Sequence, residues 1–191
     1  LPYFHAFSEN KDYTFKPTFF DKSSQMFQAE YRQINKNSSL ISDFSLTNNF
    51  KSSETKEKNS ITHIFSKFDL DLDLEKINYS KMTFSLEKVS NDTYLKVFDN
   101  ILSNTDLKPL NSDILTSEIK LALNHKKYDL NAGISSYEDL RKLRSDRYQI
   151  ILPYYDFSTT LLSNDYGVVD FNSKGNNDLK DTNNLETIII N

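Results

Sequence analysis

Apolar and polar residues alternate one by one along most of this chain. Residues 68–75, FDLDLDLE, show the pattern without a break: Phe68, Leu70, Leu72 and Leu74 take one parity, and Asp69, Asp71, Asp73 and Glu75 the other. Successive side chains of a strand point to opposite faces, so this stretch predicts one oily face and one acidic face. The same period recurs in 13–20 (Tyr13, Phe15, Pro17, Phe19) and in 26–34, where Phe27, Ala29 and Tyr31 oppose Gln28, Glu30 and Arg32. It returns in 42–50 (Phe44, Leu46, Phe50), in 82–88 (Met82, Phe84, Leu86), in 115–125 and in 128–135. Segments 146–158, 166–173 and 185–191 complete a set of about eleven expected strands, each resembling the roughly ten-residue alternating strand of a transmembrane barrel. The joints are rich in Asn, Ser, Asp and Lys. No segment has a convincing helical period, and the charged stretch 136–147 reads as a loop. No repeat of solenoid or propeller length is present.

An alternating antiparallel strand has two common homes, a soluble sandwich and a lipid-embedded barrel. Three glycines are few for the turns of a sandwich with this many joints. The polar rows hold Asp, Glu, Ser, Thr, Asn, Gln and Lys, which suits a water-filled lumen. The apolar rows hold Phe, Leu, Ile and Tyr, which suits lipid and an aromatic girdle. The expected fold is therefore all-β: an antiparallel meander forming an incomplete segment of a large transmembrane β-barrel.

Composition narrows the field further. Fourteen Phe and eleven Tyr argue against a disordered chain, which would be poor in aromatics. The net charge of −4 carries no clustered basic face, so no nucleic-acid partner is expected. The absence of cysteine excludes disulfide scaffolds, thiol catalysis and cysteine-held metals. No run approaches the roughly 18 apolar residues of a membrane helix. The opening LPYFHAFSEN has neither the basic start nor the long apolar run of a signal peptide. Strand-like text at both ends and the lack of an initial methionine suggest a fragment.

Candidate chemistry is sparse. Asp69, Asp71 and Asp73 would stand about 6.6–6.8 Å apart on one face, too far for all three to grip one cation. Their spacing also lacks the glycine and glutamate of a calcium loop. His5, His63 and His125 are scattered singly, and no serine–histidine pair of a hydrolase is placed by spacing. Neither a metal nor a cofactor nor a catalytic residue is expected. Arg141, Lys142, Arg144 and Arg147 form a basic cluster that fits a solvated loop better than a phosphate-binding rim. Pro153, in ILPYY, reads as a bulge or strand-end device.

Four stretches, in order along the chain, resemble the LptD (OstA/Imp) family of outer-membrane lipopolysaccharide-assembly proteins. LPYFHAFSENKDYTFKPTFF (1–20) is similar to the start of that family's barrel, with a Leu-Pro-aromatic-aromatic strand, a short Asn/Asp turn and a Thr-x-Pro-like strand. FQAEYRQI (27–34) is similar to the next strand, with its Glu-aromatic-Arg core. EKVSNDTYLKVFD (87–99) resembles a Val-Ser-Asp…Tyr…Phe-Asp segment, shifted by one step because Asn91 precedes Asp92. DRYQIILPYYDFS (146–158) resembles a later Leu-Pro-aromatic-aromatic strand.

The resemblance implies that 1–191 is the first portion of a very large barrel, with a periplasmic domain before it and further strands after it. It implies a non-enzymatic function, passing lipopolysaccharide to the outer leaflet of a Gram-negative outer membrane. The implied partners are lipopolysaccharide, outer-membrane lipid, an LptE-type lipoprotein plug and an LptA-type periplasmic bridge. Pro2 and Pro17 match prolines that weaken the family's lateral gate, the seam between first and last strands. Phe68, Leu70, Leu72 and Leu74 are then expected to face lipid, and Asp69, Asp71, Asp73 and Glu75 to face a hydrated interior. The alternatives from other classes are a porin- or enzyme-type outer-membrane barrel and a soluble β-sandwich binding module.

Overall fold

The computed structural model describes residues 1–20, 24–51, 58–103, 105–143, 146–180 and 187–190, without the side chains of 51, 58, 180 and 187–190. The strands are β1 (Tyr3–Ser8), β2 (Lys11–Phe19), β3 (Gln25–Ile34), β4 (Ser38–Lys51), β5 (Lys58–Asp71) and β6 (Tyr79–Val89). A five-residue helix, α1 (Tyr94–Phe98), follows. The remaining strands are β7 (Ile114–His125), β8 (Tyr128–Asp139), β9 (Tyr148–Asn164), β10 (Gly167–Lys180) and β11 (Thr187–Ile190). All eleven lie in one sheet in sequence order, each beside the next. The registers of β1–β2, β2–β3, β3–β4, β8–β9, β9–β10 and β10–β11 are antiparallel. Among the described residues the order does not close on itself. The chain is thus an all-β antiparallel meander. No helix among the described residues is long and apolar enough to cross a membrane, a fact that bears only on helices.

The sequence expectation departs from the structure in three places. The alternation of 68–75 does not continue as a strand: β5 ends at Asp71, and Asp73 (φ 48°) and Lys76 (φ 70°) adopt left-handed backbone in the turn to β6. Leu72, Asp73, Leu74 and Glu75 therefore lie beyond the strand. Second, a helix does form, at Tyr94–Phe98, where none was expected. Third, 136–139 belongs to β8 and only the residues after Asp139 turn, so the charged stretch is part strand.

Contacts divide the chain into two compact units, Leu1–Phe68 with Ser85–Leu115, and Asp69–Phe84 with Thr116–Asn191. In the first, the registers place Tyr13, Phe15, Pro17, Phe27, Ala29, Tyr31, Phe44 and Leu46 on one face. Lys16, Gln28, Glu30, Asp43, Ser45 and Thr47 share the other. The segment joining β6 to β7 covers that second face. Its Tyr94, Leu95, Phe98, Leu102 and Leu107 are buried, with Met26, Ile61 and Phe65 from the sheet. In the second unit, Tyr128, Leu130 and Ala132 share a face with Tyr155 and Phe157, while Gly133 lies opposite Tyr154 on the other. Pro153 sits where the registers of β9 shift against both neighbours, between the Tyr154 and Ile151 pairs, so it marks a bulge.

Candidate functional site

The polar side of the first unit is its most buried part, which inverts the usual order of a soluble sheet. Along β4, Asp43 and Ser45 are 1% and 0% exposed while Phe44 between them is 47% exposed; on β5, His63 is 1% and Ile64 40%. Phe7 and Phe19 are also exposed, and Phe15 stacks on Phe27 at 5.9 Å between ring centres; Phe4, opposite Thr14, is exposed on the other face. In water, leaving such a side chain out forfeits roughly 1.5–3 kcal/mol of burial each. A row of them on one face is the pattern of a surface meant for apolar surroundings. In the second unit the same sign appears locally, where Ser135 is buried beside exposed Ile134, while Asp129 and Asn131 of the same strand are exposed.

Most of the buried polar side chains bond one another, though Thr47 Oγ1 and His63 Nε2 make no hydrogen bond. Gln28 Nε2 donates to both Asp43 oxygens (3.1 and 2.8 Å), and Gln28 Oε1 accepts from Ser103 N–H (3.2 Å). Asp43 Oδ1 stands 3.4 Å from His63 Nε2. On the other side of the ring, His63 Nδ1 meets Ser45 Oγ (3.0 Å) and the Tyr94 hydroxyl (2.8 Å), and those two hydroxyls also bond each other. The His63 ring stacks on Phe65 at 4.2 Å. Burial pushes the Tyr94 phenol above the ordinary tyrosine range, and the Asp43 carboxylate adds to the effect while the Ser45 hydrogen bond opposes it.

Sequence reasoning missed this constellation. The chain does bring together a serine, a histidine and an aspartate, because β4 and β5 are neighbours and the three residues share a face. A histidine beside a hydroxyl is the start of nucleophilic chemistry. Here, however, Ser45 is fully buried and its hydroxyl is taken by Tyr94, so a substrate carbonyl has no approach to it in this arrangement. The signal that could have revealed the cover was Tyr94, Phe98 and Leu102, spaced four apart as on one helical face.

The two expected gate prolines fall at the β1 edge. Ile34 N–H bonds Asn10 O (2.9 Å) and Phe20 N–H bonds Ser24 O (3.0 Å), so even residues of β2 bond toward β3 and odd residues toward β1. Pro17, paired with Phe27, thus lacks the N–H that would reach the β1 side. The register Tyr3↔Phe15 turns odd residues of β1 toward β2 and even ones outward. Pro2, just before β1, therefore lacks the donor that would face the outer edge. By the same register Pro17 lies opposite residue 1, so both prolines stand just outside the paired length of β1.

The acidic and apolar rows are only partly held together. Asp69 accepts from Thr83 Oγ1 (2.7 Å) and pairs with Lys81 (3.2 Å). Asp71, Asp73 and Glu75 are exposed; Phe68, Leu70 and Leu72 are half-buried and Leu74 exposed. Arg141 forms a two-pronged pair with Asp139 (2.9 Å each) and Arg147 pairs with Glu138, so these basic residues are tied within the chain; Arg144 lies outside the described residues. No cluster of three metal-ligating side chains occurs among the described residues. No family model and no curated protein matches the chain.

Proposed function

We propose that this chain is part of the wall of an outer-membrane β-barrel that delivers lipopolysaccharide to the outer leaflet, with a lateral seam at β1. The observation that carries the reading is the inverted burial of β4 and β5, where Asp43, Ser45 and His63 are buried and Phe44 and Ile64 are exposed. A lipid-facing strand offers apolar residues outward and keeps polar ones inside. The LPS assignment rests on the resemblance of 1–20, 27–34, 87–99 and 146–158 to the LptD family. With it come an LptE-type lipoprotein and an LptA-type bridge as partners, and a transport function without catalysis. The positions of Pro2 and Pro17 support a seam that parts. A ladder hydrogen bond is worth about 0.5–1.5 kcal/mol net in water, and each proline withdraws one donor at or beside the first strand.

The test is the double variant Pro2→Ala and Pro17→Ala in the cellular protein, measuring surface lipopolysaccharide and the amount of folded barrel. Restored donors should tighten the seam and slow delivery at an unchanged barrel level. Normal delivery at a normal barrel level contradicts the gate role. Loss of the barrel would assign the prolines to folding instead.

A further inference from the structure

The segment between β6 and β7 has a role that the wall itself does not require. Ser90 N–H still bonds Thr62 O of β5 (2.9 Å), but past it no described backbone group of the segment bonds the backbone of the strands it covers; side chains and a few side-chain-to-backbone bonds hold it. Tyr94 reaches His63 and Ser45, Ser103 N–H reaches Gln28, and Ile101 O accepts from Lys16 Nζ (2.6 Å). Phe98 packs against Phe20 and Phe50 (5.9 and 5.8 Å), with Leu95 and Leu102 buried beside it. Its one helix is five residues long, below what stands alone in water.

What lies beneath is only part apolar. Met26, Ile61 and Phe65 seat the segment, but Gln28, Asp43, Ser45, Thr47 and His63 are buried on the same face, more polar groups than a permanent core presents. The fit also leaves hydrogen bonds unmade: Thr47 Oγ1 and His63 Nε2 are buried without a partner that meets hydrogen-bond geometry. Water would satisfy both, and every other polar group there, once the cover lifts. Opening past Ser90 therefore forfeits the burial of Tyr94, Leu95, Phe98, Leu102 and Leu107 and uncovers Met26, Ile61 and Phe65, but breaks no strand ladder.

We propose that residues 91–103 and 105–113 are a resident plug, a strap seated on the polar-lined face of β2–β5 that opens as one unit while the sheet stays folded. Segments of this kind open at free energies below that of global unfolding. If the wall encloses a lumen, as the proposed function has it, the strap governs access along that lumen. The strap itself needs only the observed packing.

The experiment uses a chain whose lack of native cysteine makes one introduced thiol an unambiguous reporter. Thr47→Cys is the choice, because Thr47 is buried on the same face as Ser45 and its hydroxyl makes no hydrogen bond there. Thiol labelling of this variant is combined with amide hydrogen exchange under native conditions. Strap amides should exchange together, about tenfold or more faster than those of β3 and β4, and Cys at position 47 should label at the strap's rate. Adding Tyr94→Ala should raise labelling about tenfold or more while strand protection is kept. Exchange of strap and strands at one common rate, with labelling only on unfolding, would overturn the proposal. Fast strap opening in a sheet that does not enter lipid would sink the membrane reading and leave the strap standing.

Discussion

Gly133 shows how much one residue decides. A Cβ there would lie 2.4 Å from Ile119 O and 2.6 Å from the Tyr154 hydroxyl. The space belongs to Tyr154, its cross-strand partner, whose hydroxyl donates to Glu118 (2.7 Å); Ser135 donates to the same carboxylate (3.1 Å). A glycine weakens a strand by itself, and an aromatic ring folded across it restores packing. Gly133→Ala should therefore cost about 1–3 kcal/mol, the range of an overpacked site. Chemical denaturation should show Tyr154→Ala partly relieving that cost, because the ring gives way while the Ile119 carbonyl does not. Strictly additive losses would deny the coupling. The same residues show what was legible. Parity along each strand was readable from spacing, so Asp43 and Ser45 could be placed on one face. The meander puts β5 beside β4, but that Ser45 meets His63 depends on the register between them, and a period of two is silent on that.

At the scale of elements, alternation located the strands but not their ends: β8 runs to Asp139 and β9 to Asn164, past the expected 135 and 158, while β5 stops short. FDLDLDLE keeps its period through Glu75, but β6 begins at Tyr79 and the chain must reverse within the intervening residues. Leu72 N–H still bonds Ser80 O (2.9 Å), after which Asp73 takes φ 48° and Ile77 N–H closes on Leu74 O (3.2 Å). Asp is among the residues that tolerate left-handed backbone, so an acidic row can carry a turn that no glycine announces. The two readings differ in sign at one position. In a strand, Asp73→Val would be favoured over Asp73→Gly by β propensity. At φ 48° valine should instead be the less stable of the two by about 1–2 kcal/mol. Both substitutions remove the carboxylate, so denaturation midpoints of the pair isolate the backbone term. A more stable valine variant would restore the strand. The helix was missed for the opposite reason: five residues are too few for a period of 3.6 to stand out, and α1 persists because Tyr94, Leu95 and Phe98 are packed, not because of its own propensity.

For the molecule as a whole, the central claim is that the exposed apolar face meets lipid. The inversion is carried by two neighbouring strands of the first unit, β4 and β5, and appears locally in the second, where Ser135 is buried beside exposed Ile134. The fold class was legible because alternation over many short segments has few solutions. The membrane reading is a proposal that rests on the same rows: in the first unit Phe44 and Ile64 are exposed and Asp43, Ser45 and His63 buried, and in the second Tyr155 and Phe171 are exposed and Ser135 buried. The most direct measurement places a nitroxide, one position at a time, at 44, 46, 64, 155 and 171 of the chain reconstituted in bilayers, and compares collisions with oxygen and with a water-soluble nickel complex. Oxygen dissolves in the hydrocarbon, whereas the nickel complex stays in water. The expected result is high oxygen and low nickel access at all five positions. Nickel access equal to or above oxygen access at these sites would place the face in water and contradict the account.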